Sequence, residues 1–170
     1  MSVFDSYEDL LYEFPSAEIP GLVEGQDLDA PDPNGAYLLT VACERLQVEN
    51  VEYFVSHGAN PNVRDVDGDT ALLCAVNVCH HHPAAACRII DILLDAGADI
   101  EARGYMDKTP FLKVCSRGCL DVLKRLVSRG CDINAVAEDI DGHTSGIRFA
   151  DIFHTDRDFQ TYLRSLYVVA

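Results

Sequence analysis

Short apolar stretches that stop at a glycine recur four times along the chain. The stretches are "LVEG", "FVSHG", "LLDAG" and "LVSRG", and their glycines are Gly25, Gly58, Gly97 and Gly130. The intervals between these glycines are 33, 39 and 33 residues, and a period of 33 is typical of a helical repeat array. Each glycine follows a helical pattern such as "VLKRLV", at a point where a left-handed residue ends the helix. The four glycines are therefore predicted to be helix stops.

A second recurring pattern lies about ten residues after each glycine. It is seen in "DPNGAYLLTVA", "DVDGDTALLCAV" and "GYMDKTPFLKVC". Asp-x-x-Gly supplies a turn, and Thr70 or Thr109 then caps the start of the next helix. Pro110 follows at the first helical position, where its fixed φ is tolerated. Each period thus contains a turn and two short helices.

These two patterns together resemble the ankyrin repeat. The segments "DGDTALLCA" and "DKTPFLKV" match the opening motif of that family, and "GANPN", "GADIE" and "GCDIN" match its close. The sequence departs from the motif in several places. Thr40, Leu73 and Leu112 replace the motif histidine, Tyr37 replaces the motif threonine, and Asp107 replaces the turn glycine. The resemblance implies an all-α solenoid of about four helix-turn-helix repeats with a degenerate C-terminal cap.

The ends of the chain are predicted to be caps of a single domain, residues 1–170. Ser6 starts a short acidic helix that stops at Pro15. After Gly130 the phase slips by two residues before a degenerate last helical pair, and terminal repeats are commonly atypical in this way. The expected divisions are an N-terminal capping repeat over 1–31, repeats over 32–64, 65–103 and 104–136, and a C-terminal capping repeat over 137–170.

The interval of 39 residues contains the segment "CHHHPAAAC", residues 79–87. Six residues exceed the period, and alignment of the repeats predicts an enlarged loop between two helices. Zinc needs about four converging ligands, and at most His80 and His82 could share one side of an extended loop. No metal site is expected. Cys87 lies on the apolar side of "CRIIDILL" and is predicted to belong to the core.

The distribution of charge along the chain indicates which kinds of partner are expected. The formal net charge is −15, and residues 1–44 carry ten acids with no Lys or Arg, whereas residues 104–170 carry nine of each sign. Such a field repels phosphate and membrane headgroups and speeds the encounter with a basic protein. Neither nucleic acid nor membrane is therefore expected as a partner. The alternative is that acidity only maintains solubility.

The location is predicted to be cytoplasmic. No apolar run approaches the roughly 18 residues of a membrane span, and the acidic start differs in sign from a secretory signal. The seven cysteines are an odd number without a C-x-x-C pair, as expected of reduced, small apolar fillers.

Motifs of catalysis and of cofactor binding are weak or absent from the sequence. "DVDGD" departs from a calcium loop because Gly68 comes two places too early and Val76 stands at the twelfth position. Asp139 and Asp141 fall in an expected solvated turn. Cys115, Cys119 and His143 could suggest a thiol nucleophile, yet the repeat places both cysteines among buried residues. We expect no enzyme activity and no cofactor.

In a stack of repeats the turn tips and the exposed side of each first helix remain available for binding. The predicted partner-binding residues are Glu44, Arg45, Val66, Asp67, Asp69, Asn77, Val78, Tyr105, Met106, Lys108, Ser116, Arg117, Asp141 and His143. Tyr105 and Met106 are the most informative, because aromatic and Met residues are enriched in interfaces. The alternative is that both fold back onto a neighbouring turn.

The predicted function is therefore non-catalytic binding of another protein, with the chain monomeric when free. An acidic binder suits a basic partner that it occludes or inhibits, as an immunity protein or antitoxin does. Short members of the resembled family often act in that way. A scaffold or adaptor that holds partners without inhibiting them is the alternative. A metal-responsive switch through the histidine segment is a third possibility.

Overall fold

The computed structural model describes residues 4–139, 142–153 and 156–168. Ten α-helices lie in these ranges. They are α1 (Tyr7–Glu13), α2 (Ile19–Leu22), α3 (Leu38–Glu44), α4 (Val48–Ser56), α5 (Ala71–Asn77), α6 (Pro83–Asp95), α7 (Pro110–Arg117), α8 (Leu120–Ser128), α9 (Gly146–Phe153) and α10 (Arg157–Ser165). The all-α solenoid predicted from the sequence is confirmed.

The helices form two rows. The first helices of successive pairs pack against one another in the order α1, α3, α5, α7 and α9, and the second helices pack in the order α4, α6 and α8. The inner row carries most of the core, because every residue from Ala71 to Val76 of α5 is at most 2% exposed. Apolar surface buried between repeats is what stabilises such an array.

The predicted helix stops are confirmed. Gly25, Gly58, Gly97 and Gly130 have φ angles of 73°, 90°, 89° and 85°, which place them in the left-handed region. The residues after them link neighbouring repeats. The backbone N–H of Asp99 donates to Asn62 Oδ1 at 2.9 Å, and that of Asp132 donates to Glu101 Oε1 at 2.7 Å. One repeat therefore positions the loop of the next.

Ion pairs connect the outer helices. Arg88 of α6 lies 3.4 Å from Glu52 of α4, and Arg129, which follows α8, contacts both Asp91 and Asp95 of α6. These groups are partly exposed to solvent, so they stabilise the stack only modestly. Their regular placement keeps the outer row aligned with the inner one.

A short β-hairpin interrupts the helices near the C-terminal end. Strand β1 (Val136–Asp139) pairs antiparallel with β2 (Gly142–Ser145), with Val136 opposite Ser145. The phase slip seen in the sequence falls here. None of the described helices is both long and apolar enough to cross a lipid bilayer.

The histidine segment differs from the enlarged loop that the sequence predicted. The connection between α5 and α6 spans only residues 78–82, and α6 has 13 residues where α4 and α8 have 9. Most of the insertion therefore lengthens α6 at its start, because Pro83 is favourable at a first helical position and three alanines follow it. His80, His81 and His82 are exposed, and Cys87 is half-buried at the edge of the core.

One buried hydroxyl has no hydrogen-bond partner. Thr70 caps α5 and is 2% exposed, yet its Oγ1 contacts no donor or acceptor among the described residues. The equivalent Thr109 accepts from the backbone N–H of Leu112 at 3.3 Å. Leu73, which stands at the place of the motif histidine, offers Thr70 no polar group.

Removing the histidine segment should be tolerated. Deletion of residues 80–85 leaves a three-residue connection and nine helical residues, Cys87–Asp95, as in the pair α3 and α4. We expect a loss of less than about 1.5 kcal/mol in the free energy of unfolding, measured by urea denaturation. Replacing the three histidines by serine is the control and should change it by less than about 0.5 kcal/mol. A large loss that zinc reverses in the intact chain would contradict this.

The two capping threonines should respond differently to substitution. Thr70→Val removes a hydroxyl without a protein partner, so we expect the free energy of unfolding to stay level or to rise by up to about 1 kcal/mol. Thr109→Val removes a capping acceptor and should cost about 1 kcal/mol. Thermal and urea unfolding of both variants measure the difference. Equal losses in the two variants would show that Thr70 has a partner in solution.

Candidate protein-binding groove

A pocket of about 460 Å³ lies between the turn tips and the inner helices near the middle of the array. We call it the central groove. Its lining residues come from two turns and from helices α5 and α7, and they are Asp67, Asp69, Asn77, Tyr105, Met106, Lys108, Lys113, Ser116 and Arg117. The groove thus uses the two surfaces that a stack of repeats leaves exposed.

Eight of the predicted binding residues meet in this groove, namely Asp67, Asp69, Asn77, Tyr105, Met106, Lys108, Ser116 and Arg117. Four others, Glu44, Arg45, Val66 and Val78, are outside its lining. Asp141 lies outside the described residues, and of His143 only the backbone is described, in β2. Their role in binding stays a prediction.

The floor of the groove contains a buried ion pair. Lys113 of α7 is 6% exposed and Asp69 is 8% exposed, and the Lys113 ammonium donates to Asp69 Oδ2. The other oxygen, Oδ1, accepts from the backbone N–H of Tyr105 at 2.8 Å. Both oxygens of Asp69 are therefore used inside the protein. Asp69 was predicted to contact a partner, but its geometry makes it a residue that positions the next turn.

Gly104 allows this close approach. A Cβ atom at Gly104 would lie 2.0 Å from Asp69 Oδ1 and 2.6 Å from a methyl group of Leu73. Only a residue without a side chain fits there. Lys113 was not predicted from the sequence to belong to the groove. Its only signal there is its charge within the otherwise apolar stretch "FLKVC". The spacing of the repeats did not show that Asp69 would face it.

The turn that carries Tyr105 and Met106 is strained and firmly held. Met106 and Asp107 both have left-handed φ angles, 59° and 56°, where the equivalent turns have one glycine. Such angles cost about 1–2 kcal/mol per non-glycine residue. The Arg103 guanidinium stabilises the turn through the Asp107 carboxylate at 2.6 Å, and it also donates to the carbonyl of Val136 at 3.0 Å.

The two apolar side chains at this tip remain accessible. Tyr105 is 58% exposed and Met106 is 50% exposed. About half of the surface of each side chain is therefore open to solvent, so neither folds back completely onto a neighbouring turn. Val66 on the preceding tip is 75% exposed, although one of its methyl groups lies against Gly35. Apolar groups held at an exposed tip are suited to contact a partner.

Acidic groups gather on the N-terminal side of the groove. Ligand atoms of Glu44, Asp65 and Cys74 lie within 4.8 Å of one another, and the Cys74 thiol donates to Asp65 Oδ2 at 3.5 Å. Partial burial raises the pKa of the Glu44 carboxyl, and the negative charge of Asp65 raises it further. Burial also raises the pKa of Cys74 well above its usual value, so this thiol is a poor metal ligand.

The cysteines considered as nucleophiles are enclosed by the repeats. Cys115 is fully buried, and burial raises the pKa of its thiol. A hydrogen bond with Cys79 lowers the pKa of Cys119 to about 7, but Cys119 is only 7% exposed. Its sulfur lies 3.8 Å from the carbonyl oxygen of Cys79. These contacts are between packed repeats rather than at a surface where a substrate could bind.

Comparisons with known proteins agree with this geometry. A family model described as ankyrin repeats in three copies matches residues 18–103, and a model of a single ankyrin repeat matches residues 107–135. A stack of helix pairs with a groove along its turn tips defines a class of repeat protein that binds other proteins. The chain belongs to the ankyrin-repeat family.

Several curated proteins share this repeat region. The chain is 32% identical over 115 residues to the E3 ubiquitin-protein ligase KEG of Arabidopsis thaliana, 66% of this chain and 7% of that protein. It is 31% identical over 86 residues to the B-cell lymphoma 3 protein homolog of Mus musculus, 51% of this chain and 19% of that protein. Ankyrin repeat and SOCS box protein 16 of Mus musculus is 33% identical over 98 residues, 54% of this chain and 21% of that protein. The matched region is thus about a fifth of the relatives' length or less.

Ankyrin repeats are generally modules for protein interaction and are typically not enzymes. This chain shares the repeats of that family. The names of the relatives describe much longer proteins, of which the match covers only a small part. The binding surface of this chain therefore has to be argued from its own residues.

The buried ion pair should be essential for stability, whereas its exposed neighbour should not. Asp69→Ala leaves the Lys113 ammonium buried without its carboxylate and frees the Tyr105 N–H, so we expect a loss of about 3 kcal/mol or more. Asp67→Ala, two residues away on the same turn, is the matched control and should change the free energy of unfolding by less than about 0.5 kcal/mol. Urea unfolding measures both. Similar values for the two variants would contradict the role of the pair.

Proposed function

We propose that this chain binds a basic protein partner in its central groove and occludes it. The observation that carries this proposal is the strained turn at the mouth of the groove, which presents Tyr105 and Met106 half-exposed while Asp69 and Arg103 hold its backbone. Holding a turn in this conformation before binding reduces the ordering cost of complex formation. Backbone strain of this kind is often found at functional sites.

The charges support a basic partner. Glu44 and Asp67 are exposed, and no Lys or Arg forms an ion pair with either of them among the described residues. Together with the net charge of −15, they give this side of the array a negative field. A field of this sign increases the association rate with a basic protein. The free chain is proposed to be a monomer, with the groove open to that partner.

A scaffold function is the second candidate, and one observation favours it. Another pocket, of about 470 Å³, lies near the N-terminal end between α2 and α4 and is lined in part by Pro20, Leu28, Tyr53 and His57. Helix α2 has only 4 residues, so it leaves the side of α4 partly uncovered. Two separate concave surfaces would allow two partners to bind at once.

The first test removes the apolar tip. A Tyr105→Ala, Met106→Ala double variant should bind the partner at least about 30-fold more weakly, because central aromatic anchors contribute roughly 2 kcal/mol or more. The partner is first isolated by affinity capture from source cells on the intact chain, and its affinity is then measured by titration calorimetry. Phe14→Ala, at an exposed aromatic outside the groove, is the control. An unchanged affinity in the double variant would place the interface elsewhere.

The salt dependence of the association rate tests the charge of the partner. The Debye length falls from about 10 Å at 0.1 M to about 3 Å at 1 M salt, so steering of a basic partner should be lost. We expect the association rate constant to decrease by more than tenfold over this range. A rate that does not depend on salt would mean that the acidic residues serve solubility. Loss of the partner's own activity in the complex would separate occlusion from scaffolding.

A further inference from the structure

Charge changes sign from the N-terminal to the C-terminal side across the central groove and the end of α3 beside it, where Glu44 lies just outside the groove's lining. The last residues of the three inner helices α3, α5 and α7 are Glu44, Asn77 and Arg117, which are negative, neutral and positive. The turn tips show the same order, with Asp67 on one tip and Lys108 on the next. Both rows therefore run from acidic to basic in the same direction. Lys108 is half-buried and its ammonium lies 4.4 Å from the ring centre of Phe149, so the exposed cation at this end is Arg117.

Asn77 orients the Arg117 guanidinium through hydrogen bonds but does not neutralise its positive charge. Its Nε donates to Asn77 Oδ1 at 3.0 Å, and its Nη2 donates to the same oxygen. That acceptor is a neutral amide. No carboxylate forms an ion pair with Arg117 in the part of the chain that the structure describes. A guanidinium held in this way is prepared for a carboxylate from another molecule.

The negative side shows the complementary arrangement. The pKa of the Glu44 carboxyl is raised first by burial and then by the negative charges of Asp65, Glu8 and Asp69. The neighbouring Arg45 contacts Glu8 instead, at 3.9 Å, and lies over the ring of Tyr12. A cation brought by another molecule would relieve the repulsion among these carboxylates.

Between the two sides lies the ion pair of Asp69 and Lys113, whose charges cancel in the floor of the groove. Tyr105 and Met106 lie above it at the rim. The groove thus presents a negative end, an apolar centre and a positive end. Neighbouring inner helices are about 10 Å apart, so the ends at α3 and α7 are separated by roughly 20 Å. About six extended residues span that distance.

We propose that the groove and the adjoining end of α3 bind a segment of the partner protein that is itself polarised, with an Arg or Lys over Glu44 and Asp67 and an Asp or Glu over Arg117. This inference rests on the proposed function and adds the direction in which the segment lies. It also restricts the basic character of the partner to one end of the bound segment. A uniformly basic segment would meet Arg117 and be repelled there.

The test uses a library of random 16-residue peptides displayed on phage and selected on the intact chain. Enriched peptides are synthesised and their affinities measured by fluorescence polarisation. We expect them to carry a basic residue and an acidic residue separated by about six positions if extended, with apolar residues between. Arg117→Gln and a Glu44→Gln, Asp67→Asn double variant should each weaken binding roughly tenfold.

A double-mutant cycle assigns each charge to its counterpart. Replacing the acidic residue of the peptide by alanine should abolish the effect of Arg117→Gln, whereas replacing its basic residue should not. Glu52→Gln and Arg88→Gln, which alter an ion pair on the outer helices, are the matched controls and should leave affinity unchanged. Circular dichroism checks that every variant keeps its helices.

The outcomes separate the inference from the proposed function. Peptides that Tyr105→Ala weakens but Arg117→Gln does not, or that are uniformly basic, would overturn the polarity and leave the groove as the interface. Peptides that bind equally well after their charges are exchanged between the two ends would also overturn it. If no selected peptide depends on Tyr105, both the inference and the groove as an interface are contradicted.

Discussion

The structure depends on the inability of any single repeat to bury its own apolar surface. Helices α3, α5 and α7 have seven or eight residues, and helices this short are unstable in isolation. Each becomes stable only when its neighbours cover both of its sides. The complete burial of Leu72, Leu73 and Val76 in α5 shows how much of each inner helix is used in this way. Function is then confined to what stacking leaves exposed.

Polar contacts between repeats give this stack its register. Side chains after the first three helix stops accept from the backbone of the following repeat, as Asn62 does from Asp99. On the turn side, Arg64 donates to the carbonyl of Arg103 at 2.5 Å, and Arg103 in turn donates to that of Val136. The turn tips are thereby linked to one another. A partner that contacts one tip meets its neighbours in fixed positions.

The central groove differs from the rest of the stack because its turn and its floor depart from the regular repeat. Its turn has two left-handed residues without glycine, and a buried Asp and Lys occupy its floor. Both features cost stability relative to a regular repeat. They fix Tyr105 and Met106 at the rim, which is consistent with selection for binding rather than for stability alone.

The sequence by itself determined the repeat, its period, the helix stops and the positions that stacking leaves exposed. These follow from local chemistry, since a glycine at a helix end has the same effect in every repeat. Eight of the residues predicted for binding line the central groove, and their role in binding stays a prediction. The sequence did not predict the contacts between repeats. The contact of Asp69 with Lys113 and the space that Gly104 leaves for this carboxylate depend on atoms 35 or more residues apart. The histidine segment lengthens α6 more than the loop before it, and packing decides that choice between helix and loop. Only the tertiary structure decided them, because the energy of a buried charge depends on what lies beside it in space.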